Sequence, residues 1–93
     1  MYRVARSNRY RRSHERVSQY KNFDEVEVNR VINTLARGER FEPRHYDHEL
    51  KGEYKGIREC HVKNDLLLLY EKRQNVLILL LVDIGTHTSV FGE

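Results

Sequence analysis

The apolar positions of this chain fall into two regimes, one spaced for helices and one spaced for strands. Tyr10, His14 and Val17 recur at helical intervals, with arginines on the other side of the pattern. Ser7 precedes them and suits an N-cap, so the spacing predicts a helix from there to about Tyr20. On that face His14 reads as a packed or half-exposed histidine rather than a ligand. Asp24-Glu25-Val26-Glu27 has the form of a capping box, with its acids well placed for a helix N-terminus. Val28, Val31, Ile32, Leu35 and Ala36 follow as an apolar stripe, and Arg37-Gly38 reads as its end. The second predicted helix therefore covers roughly residues 24–37. Residues 2–6 read as a short first strand.

After Gly38 the pattern changes. Residues 39–56 are polar and contain Pro43, Gly52 and Gly56. They are expected to form a long loop with little regular structure, anchored by Phe41, Tyr46, Leu50 and Tyr54. Three apolar runs follow, at residues 57–62, 66–72 and 76–82, separated by Lys63-Asn64 and Arg73-Gln74-Asn75. Such runs predict an antiparallel meander whose last two strands are central and covered on both faces. The order is β-α-α-β-β-β. It describes an α+β fold, a small antiparallel sheet with two N-terminal helices packed on one face. At 93 residues the chain forms one domain, residues 1–93, with no room for a separate cofactor domain.

Charge adds a direction. Lys and Arg number 17 against 14 Asp and Glu, a formal net charge of +3. Arg3, Arg6, Arg9, Arg11, Arg12 and Arg16 face only Glu15 in the first sixteen residues, and Lys51, Lys55, Arg58, Lys63, Lys72 and Arg73 form a second basic stretch. Clustering of this kind suits a polyanionic partner, although charge alone is more often just a solvated surface. Cys60 is the only cysteine, which excludes an intramolecular disulfide and fits a reducing, cytoplasmic setting. The first residues lack the apolar segment of a signal peptide. The longest apolar run, residues 76–82, is far shorter than the roughly 20 residues of a membrane-spanning helix, so no membrane partner is expected.

The candidate chemistry lies in the second half. His48 sits in the loop, His61 near the end of one predicted strand, Asp65 across a tight turn from it, and His87 and Phe91 after the last strand. Hairpin partners lie about 5 Å apart, so His61 and Asp65 can share one end of the sheet. Imidazoles exchange protons near neutral pH, and a carboxylate beside one orients it and favours its charged form. A positioned base and acid are what metal-free RNA cleavage needs, with nearby cations to hold phosphate. Lys51, Lys55 and Arg58 are the cations of that region, and Phe91 is placed to stack on a base. Taken singly, each histidine is more often structural or merely exposed, Phe91 more often a core residue closing the sheet, and Asp65 can simply cap the turn, so spacing alone favours the structural readings. Zinc is the rival reading, because Cys60 and His61 resemble ligands. Neighbouring strand residues point to opposite faces, however, and no paired C-x-x-C or H-x-x-x-H spacing supports a metal. Cys60 reads as a small buried hydrophobe.

The motifs Asp47-His48-Glu49-Leu50-Lys51-Gly52, residues 54–65, Leu67-Leu68-Leu69-Tyr70, Gly85-Thr86-His87 and Val90-Phe91-Gly92 resemble the YafQ branch of the RelE superfamily. These are toxins of bacterial type II toxin–antitoxin systems. The resemblance covers residues 47–92, and the N-terminal half shares the strand–helix–helix plan. It implies a RelE-like fold and a ribosome-dependent mRNA endonuclease that cuts in the A site, needing no metal or other cofactor. It also implies a cognate antitoxin of the RelB/DinJ type, contact with ribosomal RNA, and operator DNA reached only through the antitoxin. The family's catalytic positions match His48, His61, Asp65, His87 and Phe91. Two positions depart from the common pattern: Leu66, where many relatives carry an aromatic residue, and Asn64, where proline is common. A second function class stays open, a degenerate toxin that binds RNA or antitoxin without cutting.

Overall fold

Ser7 caps the first helix as its position predicts. Its Oγ accepts a hydrogen bond from the Tyr10 backbone N–H at 3.0 Å and opens α1 (Asn8–Val17). This computed structural model describes residues 1–41, 45 and 47–92. Tyr46, expected as a loop anchor, lies outside the described residues. Helix α1 stops at Val17, earlier than the expected Tyr20, and buries Tyr10, Ser13 and Val17. His14 is half-exposed, as expected. It stacks on Tyr10 and meets the Glu25 carboxylate at 3.0 Å, linking α1 to the next helix. That helix, α2 (Glu25–Ala36), has the predicted bounds, with Asp24 accepting from the Glu27 N–H at 3.1 Å. A cap of this kind is worth about 1 kcal/mol. The same bond, with help from Lys63, holds the Asp24 carboxyl below the usual carboxylate range.

Five strands form one sheet: β1 (Arg3–Arg6), β2 (His48–Glu49), β3 (Arg58–Lys63), β4 (Leu66–Arg73) and β5 (Ile78–Gly85), in the order β1-β5-β4-β3-β2. The meander β3-β4-β5 is antiparallel, as the apolar runs predict. Strand β1 differs. It pairs with β5 in parallel, from Arg3 opposite Ile78 to Arg6 opposite Leu81, so the sheet is mixed. Its register comes from chain direction after the helical crossover, which no local pattern encodes.

Strand β2 lies inside the segment expected to be an irregular loop. It is only two residues long and exists because His48 pairs with Glu59 and Glu49 with Arg58. The expected anchors hold elsewhere: Leu50 and Tyr54 pack on one face of the sheet, Phe41 on the other. Val76 and Leu77, expected to begin the last strand, instead lie exposed in the β4–β5 connection. Leu77 has a left-handed backbone (φ 53°), and its carbonyl accepts from the Arg3 N–H at 2.8 Å. Asn64, in the two-residue β3–β4 turn, also has φ 53°. Asparagine tolerates that conformation, whereas a proline ring fixes φ near −65°.

The sheet has two differently covered faces. Cys60, Val62, Leu68, Tyr70, Leu79, Leu81 and Ile84 face α1 and α2 in the main core. Cys60 is fully buried there, and burial pushes its thiol up in pKa, in keeping with a small hydrophobe. Leu67, Leu69 and Val82 face the other way, under Leu50, Tyr54 and Ile57 and a short helix, α3 (His87–Phe91). Helix α3 is absent from the sequence expectation. It starts with a capping box in which Thr86 and Ser89 satisfy each other's backbone N–H groups. Arg9 ties α1 to this side, bonding the buried Asp83 carboxylate at 2.8 Å and the Val90 carbonyl at 3.0 Å.

Candidate active site

Strand alternation puts Glu59 and His61 together on the face covered by α3, with Arg58 and Cys60 on the opposite one. Pairing of β2 with β3 sets His48 directly across from Glu59. One Glu59 oxygen thus lies 3.4 Å from His61 Nε2 and 3.8 Å from His48 Nε2. Glu59 is nearly buried, at 4% exposure, and its carboxyl lies between two imidazoles. Sequence reasoning missed this residue. Its signal was the two-residue spacing to His61 within a strand.

Asp65 shares one end of the sheet with His61, as expected, and the histidine it bonds is His87. Its carboxylate accepts from His87 Nδ1 at 2.8 Å, across the gap between the β3–β4 turn and α3. That bond, with the positive potential of His87 and His61, holds Asp65 below the usual carboxylate range. A neutral His87 that donates an Nδ1–H hydrogen bond to Asp65 carries its lone pair on Nε2, the arrangement of a general base. The rings of His61 and His87 stand edge to face, 5.9 Å between centroids. Phe91 follows one helical turn on, 6.3 Å from His87 and 5.4 Å from Tyr54, half in the second core and half at the edge of the cluster.

His48, His61, Asp65, His87 and Phe91 therefore converge on one surface. The cations divide. Lys51 and Lys55 are exposed near β2. Arg58 points to the helix side, where it bonds Asp47 at 3.2 Å and the Tyr70 hydroxyl at 3.3 Å, while that hydroxyl donates to Asp47. The structure does not bring Arg58 into the histidine cluster. A second residue that sequence reasoning missed is His45. It is buried at 2% exposure against Phe41, and its Nδ1 donates to the His61 carbonyl at 2.7 Å, fixing the strand that carries His61. Nothing in the surrounding polar loop signalled it. Among the described residues, Glu59, His61 and His87 also form a group whose ligand atoms all lie within 4.8 Å of one another. Two imidazoles and a carboxylate fit a transition-metal donor set.

The sequence matches, over residues 2–92, the family model described as the bacterial toxin of type II toxin–antitoxin systems, YafQ. The chain belongs to the YafQ family. Within that family it is 42% identical over 41 residues to a putative toxin YafQ of Haemophilus influenzae, covering 44% of this chain and 36% of that protein. It is 39% identical over 46 residues to the mRNA interferase toxin YafQ of Escherichia coli K12, covering 50% of this chain and 48% of that one. The aligned stretches thus span half or less of these YafQ relatives. A metal-bound toxin from Helicobacter pylori superimposes with a TM-score of 0.89 at 33% identity, over 98% of this chain and 100% of that one. A copper-bound mutant toxin from the same organism gives 0.89 at 32%, with the same coverage. YafQ in the E. coli DinJ–YafQ complex gives 0.86 at 22% identity, over 99% of this chain and 100% of that one, a likeness of fold. Among the described residues of this YafQ-family toxin, no helix is long and apolar enough to cross a membrane.

Proposed function

We propose that this toxin is a metal-independent mRNA endonuclease that acts on the ribosomal A site and so stops translation. The observation that carries the reading is the pairing of two imidazoles, each with its own carboxylate: His87 with Asp65, and His61 with Glu59. One imidazole removes the proton of a ribose 2′-OH, whose oxygen attacks the adjacent phosphorus. The other gives a proton to the departing 5′-oxygen. The products are a 2′,3′-cyclic phosphate and a free 5′-hydroxyl, and the two histidines end with their protonation states exchanged. Each proton transfer of this kind contributes roughly 10²–10⁴-fold. Asp65 orients His87. Glu59 lies against both His61 and His48 and orients them. Lys51 and Lys55 hold phosphate, Phe91 meets a base, and Arg58 acts indirectly by bracing Asp47 next to β2.

Two partners go with this reading. The E. coli relative is named an mRNA interferase, which supports mRNA as substrate, with ribosomal RNA meeting the arginine-rich α1. The DinJ–YafQ complex supports an antitoxin of the DinJ type, through which operator DNA would be reached. A second reading rests on the Glu59–His61–His87 donor cluster and on likeness to the metal-bound toxin of H. pylori. A metal held there would occupy lone pairs that proton transfer needs, so metal binding and cleavage would compete.

Primer extension on a translated mRNA tests the proposal. Wild-type protein is expected to produce cleavage stops only with ribosomes present, and His61→Ala and His87→Ala to lower their rate about 10²-fold or more. Full activity in both variants would remove the assignment. RNA or antitoxin binding without any cleavage by the wild type would support a non-catalytic module.

A further inference from the structure

A cavity of about 320 Å³ opens beside the histidine cluster, between the link that joins α1 to α2 and the β3–β4 turn. Tyr20, Phe23 and Leu66 supply its apolar wall, and Asn22 and Asn64 lie on its lining. Phe23 and Leu66 also lean on the main core, but Tyr20 is 50% exposed and belongs to no core cluster. Lys63 and Asp24, both on the lining, neutralise each other at 3.1 Å. Asp65 is shared: it lines the cavity and accepts the hydrogen bond of His87. A single carboxylate therefore separates this cavity from the catalytic imidazole.

We propose that the cavity is a nucleotide subsite, holding one unpaired base of the RNA strand next to the phosphate cut at His61 and His87. The inference rests on the RNA-cleaving reading above. Size is the first argument, since about 320 Å³ is at the small end of the roughly 300–1,000 Å³ typical of ligand pockets. Charge is the second. Lys21 and Lys63 are balanced by Asp24 and Asp65, so the lining suits a neutral base rather than a phosphate. Chemistry is the third. Single-stranded bases are held by stacking on aromatic rings and by hydrogen bonds to their edges, and the lining offers two aromatic rings and two side-chain amides. Continuity is the fourth, because Asp65 belongs to both sites.

The test uses the full chain with ribosomes programmed by an mRNA that carries 2-aminopurine at successive positions. A 2′-deoxy sugar at the attacked position blocks cutting. Fluorescence is expected to fall at one position adjoining the scissile phosphate, and Tyr20→Ala to abolish that fall. On unmodified mRNA, Tyr20→Ala is expected to lower kcat/KM about tenfold. An unchanged fluorescence pattern and cleavage rate in Tyr20→Ala overturn the subsite. Normal cleavage by Tyr20→Ala with weakened neutralisation by the antitoxin also overturns it, assigning the cavity to the antitoxin. Because the fluorescence reading needs no cutting, it decides the subsite even if His87→Ala proves as active as wild type and the catalytic reading fails.

Discussion

Asp65 is exposed, yet its position is narrowly specified by the 2.8 Å bond to His87 and by the positive groups beside it. A carboxyl held below its ordinary pKa of about 3.9 contributes stability that is fully present above that value. The contribution is lost as pH falls through the lower value of the folded state. The expected result is a small deficit in the urea midpoint of Asp65→Asn at pH 5.5 that disappears near pH 2. Solvent screening keeps the deficit small. A deficit that persists unchanged at pH 2 would show that Asp65 acts by shape rather than charge. His48, His61, Asp65 and His87 could be singled out as candidates in the sequence because titratable side chains at strand ends and turns stand out. Their pairing could not be read: Asp65 serves His87, and the carboxylate beside His61 is Glu59. An acid inside a strand normally points to water, so burial of Glu59 depends on β2 and α3 covering it. His45 was hidden for a similar reason, since its burial comes from Phe41 and the His61 carbonyl.

Helix α2 was readable to within one residue at each end because a cap, an apolar stripe and Gly38 agree on its limits. Strand β2 and helix α3 were not readable, because two and five residues are too short to show a period. Both are made by partners: β2 by backbone pairing to β3, α3 by the Thr86–Ser89 box and by Arg9 holding Val90. The β4–β5 connection shows the converse error. Val76 and Leu77 look like strand by hydrophobicity, but Leu77 turns the chain in a left-handed conformation with its side chain 53% exposed. Such a conformation costs a branched residue roughly 1–2 kcal/mol, and glycine adopts it freely. Leu77→Gly is therefore expected to stabilise the protein by about 1 kcal/mol, or about 4–8 °C in Tm for a domain of this size. A lower Tm would mean that the apolar contacts of Leu77 outweigh its backbone strain.

At the scale of the whole molecule the sheet separates two tasks. One face carries α1, α2 and the main core; the other carries a smaller core from which the histidines project. The central strands were legible because their apolar runs are uninterrupted, as strands covered on both faces must be. The parallel pairing of β1 with β5 was not, because it joins the two ends of the chain and depends on the path of the helices between them. Basic residues lie in α1, which packs on the first face, and around β2, which carries His48. In the proposed function the histidine-bearing face cuts RNA by proton transfer between imidazoles, without a metal. The direct measurement is the cleavage rate and end-group chemistry of a translated mRNA with a chelator selective for transition metals, magnesium being kept for the ribosome. Undiminished cleavage that leaves 2′,3′-cyclic phosphate and 5′-hydroxyl ends is expected. Cleavage abolished by the chelator and restored by added zinc or copper would contradict the proposed function.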